Sequence, residues 1–295
     1  MSLHQPNRTR LCLEVLEQRA NPSGNVLVST VGGQLGVTGD AADNAVAVTR
    51  YGQGDLLIQG LLGTTVNGQT AVYLRGVSTV AATFNMQAGA DRVQVQNLIV
   101  TGAVTVQLGD GNDTAQLTNI TAGGNIAVDA GAGDDSVVGN YLTVAGALAV
   151  DAGAGANAVA LGQANITGAL NVVTGAGTDK VLLSGVKAST ATALTGDGAD
   201  YVSIFAVTTQ QDLNVQTGNG NDIMTLMGAQ LGRNLVVDLG DGNDSLDGSG
   251  TRAAVNAALQ GGSGLDVVTD GGITATSRTV AGFERAGQTG IIRPR

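Results

Sequence analysis

Residues 131–152 read GAGDDSVVGNYLTVAGALAVDA, and at Gly153 the pattern begins again. The apolar residues of this stretch form three clusters: Val137–Val138, Leu142 with Val144, and Leu148 with Val150. Spacing inside the clusters is mostly two, the period of a strand whose alternate side chains share one face. Between them lie Gly, Asn and Thr, which turn chains. Three short strands in 22 residues describe a three-sided coil.

The same unit recurs along most of the chain. A Gly-x-Gly tripeptide starts at Gly109, Gly131, Gly153, Gly175, Gly196, Gly218, Gly240 and Gly262, spaced by 22 residues with a single 21. Four residues after each first Gly stands Asp113, Asp135, Asn157, Asp179, Asp200, Asp222, Asp244 or Asp266. Asp91 continues the register upstream behind Gly89 alone, and looser copies reach back through Val72/Leu74 and Asp43. The unit from Gly218 repeats the clusters as Met224 with Leu226, Ala229 with Leu231, and Leu235 with Val237.

A strand this short is not stable alone, but stacking like coils about 4.8 Å apart pairs each with its copies above and below. The expected fold is therefore all-β: a right-handed parallel β-helix (β-solenoid) of about ten coils. It should occupy residues 25–271, after an N-terminal export or capping segment (1–24) and before a C-terminal cap and tail (272–295) carrying Phe283, Glu284 and Arg285.

Composition agrees and removes other classes. The 295 residues include 46 Gly, 3 Pro, 7 aromatics and no Trp, so the core must be aliphatic and thin. No apolar run is long enough for a membrane-spanning helix. Gly lacks the every-third-residue period of collagen, and 43% hydrophobic residues is too many for a disordered chain. The one cysteine, Cys12, cannot form an internal disulfide.

The net charge is −10, and the acids are 21 Asp against 3 Glu. From Gln107 to Gly250 there are 15 Asp and only Lys180, Lys187 and Arg233 to oppose them. Such a surface repels nucleic-acid phosphates and suits cations or solubility.

Two segments resemble known families. Gly-Asp-Gly-Asn-Asp at 109–113 and 240–244, and Gly-Asn-Gly-Asn-Asp at 218–222, resemble the glycine-rich turns of repeats-in-toxin proteins. That resemblance implies calcium held by Asp110, Asp113, Asp134, Asp135, Asp179, Asp197, Asp200, Asp222, Asp241, Asp244 and Asp266. The leading glycine of that motif is here Leu108, Ala130, Ala152, Thr174, Thr195, Thr217 or Leu239, and only Gly261 matches. Arg10–Arg19 with Asn21-Pro-Ser-Gly resembles a segment of large exported proteins of planctomycete bacteria, which implies export to the cell surface.

The residues themselves allow two roles for the Asp column. Stacked carboxylates about 5 Å apart repel and require donors or cations, and Ca²⁺ takes six to eight such oxygens. Asp and Asn also accept hydrogen bonds from backbone N–H groups in turns, and Asn157 in the column fits that structural role. A second column, Gln107, Asp129, Asp151, Gln216, Asp238 and Gln260, reads as a ladder first and a ligand set second. Lys180 is expected to neutralise the Asp column, and Tyr201 and Phe205 to cover a coil edge.

Catalysis finds little support. Asp134–Asp135 superficially fits a glycosidase pair, but no loop interrupts the repeat between Gly89 and Gly262. The single histidine, His4, precedes the repeats, so no Ser-His or Cys-His pair can form there. The expected function is a non-catalytic structural or adhesive solenoid outside the cell, associating with itself or with surface polymers. The alternatives are a calcium-binding domain that folds on secretion and, behind it, a polysaccharide-active enzyme.

Overall fold

The computed structural model describes residues 24–52 and 54–286. Their regular structure is all strand, arranged as three sheets of 13, 13 and 8 strands in a β-solenoid of about nine turns. Each turn gives one strand to each sheet. In the quoted unit these are Ser136–Asn140 (second sheet), Thr143–Val144 (third) and Leu148–Asp151 (first).

Strands pair in parallel with their equivalents one turn away, so Ile126 faces Leu148 and Leu148 faces Leu170. Alternate residues point inward and form one continuous aliphatic core, including Val137, Leu142, Val144, Leu148 and Val150. Like residues thus stack on like along the axis. At the usual strand spacing nine turns make a stack about 40–45 Å long. No helix among the described residues is long and apolar enough to cross a membrane.

The N-terminal part departs from the expected repeat. Asn25–Val31 pairs antiparallel with Gln34–Thr38, and Ala45–Tyr51 with Asp55–Gly60, which pairs antiparallel with Ala71–Leu74. These hairpins top the first and second sheets in place of full coils. The looser copy through Val72/Leu74 is therefore a hairpin strand and not a coil, whereas the one at Asp43 stays in register with the stack, which has about nine turns. An alternating strand suits either pairing direction, and Gly32–Gly33, both at positive φ, make the tight reversal. The expected export or capping segment, with His4 and Cys12, lies outside the described residues apart from Gly24.

Two corners carry left-handed backbone. One is the Gly-x-Gly turn. The other, between the second and third sheets, has one such residue per turn: Asn97, Asn119, Tyr141, Gln163, Gly185, Ala206, Gly228 and Gly250. Between Gly109 and Gly262 the third corner absorbs the one irregularity in the period. Three residues, 167–169, link Asn165–Ile166 to Leu170–Val173, but only Ser189 and Thr190 link Lys187–Ala188 to Ala191–Leu194. The strands on either side keep their register: Asn165 faces Lys187, and Leu170 faces Ala191.

Candidate functional site

The chemistry of the chain gathers at the Gly-x-Gly corner. A first-sheet strand ends, one buried side chain follows, and the chain turns through two glycines into the Asp that starts the second sheet. Leu108, Thr195, Thr217 and Leu239 occupy the buried position, so a side chain there fills the core. Gly218 and Gly220 sit at φ +91° and +146°, and a Cβ on either would run into the carbonyl oxygen of Gly196 or Gly198 one turn away. The corner accepts little else.

This turn separates the sequence-selected carboxylates. Asp110, Asp134, Asp197 and Asp241 are exposed, whereas Asp113, Asp135, Asp179, Asp200, Asp222, Asp244 and Asp266 are buried in one column with Asp91 and Asn157. Among the described residues no cluster of three or more His, Cys, Asp or Glu side chains is placed to hold a metal ion.

Each buried aspartate spends one oxygen on the turn before it. Asp113 Oδ1 accepts the Asp91 N–H at 2.6 Å, Asp200 Oδ1 that of Asp179 at 2.8 Å, and Asp244 Oδ1 that of Asp222 at 2.7 Å. Asn157 Oδ1 does the same for Asp135 at 3.0 Å. The column has ends that sequence reading missed. Asp91 Oδ1 accepts from Asn44 N–H at 2.6 Å across 47 residues, and Glu284 Oε2 accepts from Asp266 N–H at 2.6 Å. The hairpins between Asn44 and Asp91 hide the first link from a 22-residue search, and a change of residue type hides the second.

The other oxygen is different. Oδ2 of Asp91, Asp113, Asp135, Asp179, Asp200, Asp222, Asp244 and Asp266 is buried without a hydrogen-bond partner. An orphaned buried oxygen costs about 1–3 kcal/mol, and more if it is charged. Burial pushes the Asp113 carboxyl up to about 7, helped by Asp91, Asp135 and Asp110 and opposed by the Asp91 N–H. Burial likewise raises Asp91, Asp200 and Asp244 to about 6, and moves Asp135, Asp179 and Asp222 in the same direction.

The exposed carboxylates work the other way along the stack. Asp134 Oδ1 accepts the Ala156 N–H of the following turn at 2.8 Å, while Asp197 Oδ1 accepts from Asn219 Nδ2 at 2.7 Å. Lys180 does not face the buried column; its Nζ lies 5.6 Å from the centre of the Tyr201 ring. Tyr201 and Phe205 lie on the outer face of the second sheet, opposite Ile223 and Met227 of the next strand. Asp129 faces Asp151 on the outer side of the first sheet, but Val173 and Leu194 interrupt that second column.

No family model, curated protein or solved structure matches this chain.

Proposed function

We propose that this chain is a non-catalytic structural or adhesive β-solenoid of the cell surface or extracellular matrix. The observation that carries this reading is the continuity of the stack from Asp91 to Asp266, each turn hydrogen-bonded to the next through backbone and Asp side chains. Such a scaffold is stiffened by parallel ladders in every turn. Catalysis requires groups held together in a recess, which a repeat normally provides by breaking its symmetry with a loop. Here the carboxylates with raised proton affinity, such as Asp113 and Asp200, are buried inside the column. An open depression on the first sheet is lined by residues such as Thr105, Gln107, Asp129, Asp151 and Asn171, without a nucleophile and base in partnership.

The test combines location and activity. Antibodies against the chain should label intact cells, and electron microscopy of the purified protein should show short rods about 40–45 Å long. Confinement to the cytosol would overturn the surface assignment. Turnover of any member of a polysaccharide panel by the pure chain would overturn the non-catalytic one.

A further inference from the structure

The two asparagines in the buried column show what its unpartnered oxygens face. Asn157 Nδ2 donates to the carbonyls of Gly155 at 3.1 Å, Gly153 at 3.3 Å and Thr174 at 3.0 Å. Asn44 Nδ2 donates to the carbonyls of Ala42 at 2.5 Å and Asp40 at 2.9 Å. In both cases the acceptors lie two and four residues earlier. The repeat places Gly198 and Gly196 in those positions for Asp200, and Gly242 and Gly240 for Asp244. Carbonyls and an ionised carboxylate are all acceptors, so this arrangement lacks a hydrogen.

We propose that the aspartates of the buried column from Asp91 to Asp244 are neutral carboxylic acids in the folded chain, each Oδ2–H donating to turn carbonyls as the asparagine amides do. The column is then a proton-filled latch that weakens the stack as pH rises. It goes beyond the structural role proposed above and stands independently of where the protein resides.

The surroundings favour the proton. Asp113 faces Asp91, Asp135 and Asp110; Asp244 faces Asp222, Asp266 and Asp241; Asp200 faces Asp179 and Asp222. Asp91 has Asp43 and Asp40 nearby, and Asp135 has Asp134 next to it in the chain. Every charged group acting on these aspartates is another carboxylate, so ionising several at once is unfavourable. Thr174, Thr195 and Thr217 pull the carboxyls of Asp179, Asp200 and Asp222 down against the larger upward push of burial, while the hydroxyls of Thr195 and Thr217 also lie 3.2 and 2.7 Å from backbone carbonyls.

The sign follows from linkage. A folded acid that holds its proton more tightly than the unfolded chain adds stability that is complete below about pH 4. That stability is lost as pH climbs through the raised values of about 6 for Asp200 and about 7 for Asp113.

The experiment is thermal melting from about pH 4 to about pH 8 in chelator-containing buffer, with infrared spectroscopy of the carboxyl region. The wild type and the combined variant Asp179→Asn/Asp200→Asn/Asp222→Asn/Asp244→Asn are compared. The wild type should melt lower as pH rises, and the variant should fold and lose part of that slope, with Asp91, Asp113 and Asp135 keeping the rest. At about pH 5, where exposed aspartates are ionised, the folded wild type should keep a protonated-carboxyl band that is diminished in the variant. A missing band overturns the proposal from the wild type alone. So does a variant that fails to fold, an unchanged slope, or calcium that stabilises the wild type near about pH 8 and leaves the variant unaffected.

Discussion

Asp134 and Asp135 are consecutive and chemically identical, yet one lies in solvent and the other in the core. Asp134 takes the N–H of Ala156 in the turn after it; Asp135 takes the N–H of Asp113 in the turn before it. The strand period explains the split, since adjacent residues entering a strand must face opposite sides. The consequence is energetic. Water can replace the outer hydrogen bond, while nothing replaces the inner one. Two similar contacts therefore have different weight.

The largest effect should come from deleting an inner acceptor. Asp200→Ala leaves the Asp179 N–H unpaired in the core and should cost about 2–3 kcal/mol in a urea titration near about pH 5. A cost no greater than that of an outer substitution would erase the contrast between the two columns.

A smaller effect sharpens the inner half of the comparison. Asn157→Asp adds a carboxylate between Asp135 and Asp179, and near about pH 8 it should destabilise by about 1–2 kcal/mol. Its folded proton affinity would be raised, as burial raises that of Asp135 and Asp179, so the cost should fade as pH drops toward about 4. A cost equal at both ends of that range would point to shape and not to charge. The smallest effect belongs to the outer column: Asp134→Ala should change stability by no more than about 0.5 kcal/mol at any pH. A larger loss, read from the same denaturation curves, would mean that the solvent-side ladder shares the load.

How much could be read beforehand follows from the same geometry. The 22-residue register reveals the coils because stacking demands equal turn lengths, and the apolar clusters at Met224/Leu226 and Leu235/Val237 mark core positions that are buried. The opposite fates of Asp134 and Asp135 were implicit in their parity relative to Val137, but a tally of acidic residues treats them alike. Asn44 escaped because its partner lies 47 residues away, beyond hairpins whose alternation mimics that of the coils. Lys180 misled because sequence adjacency to Asp179 places it on the opposite face of the strand, over Tyr201. The second left-handed corner was also legible in part, from glycines at 185, 228 and 250, though Tyr141 and Ala206 conceal it.

The shortened link at Ser189–Thr190 has a further meaning for how such a molecule can change. A residue is missing there, yet Lys187 and Ala191 still meet their counterparts in the preceding turn. In the regular repeats from Gly109 to Gly262 the glycine corner keeps its length, its backbone wedged against the carbonyls of the turn beneath, and it shortens only in the last turn, from 261–266 to 282–284. Within those repeats the one change in length thus falls on one long edge of the prism. Along that edge the regular stack accommodates a missing residue without any change in which side chains meet across the turns.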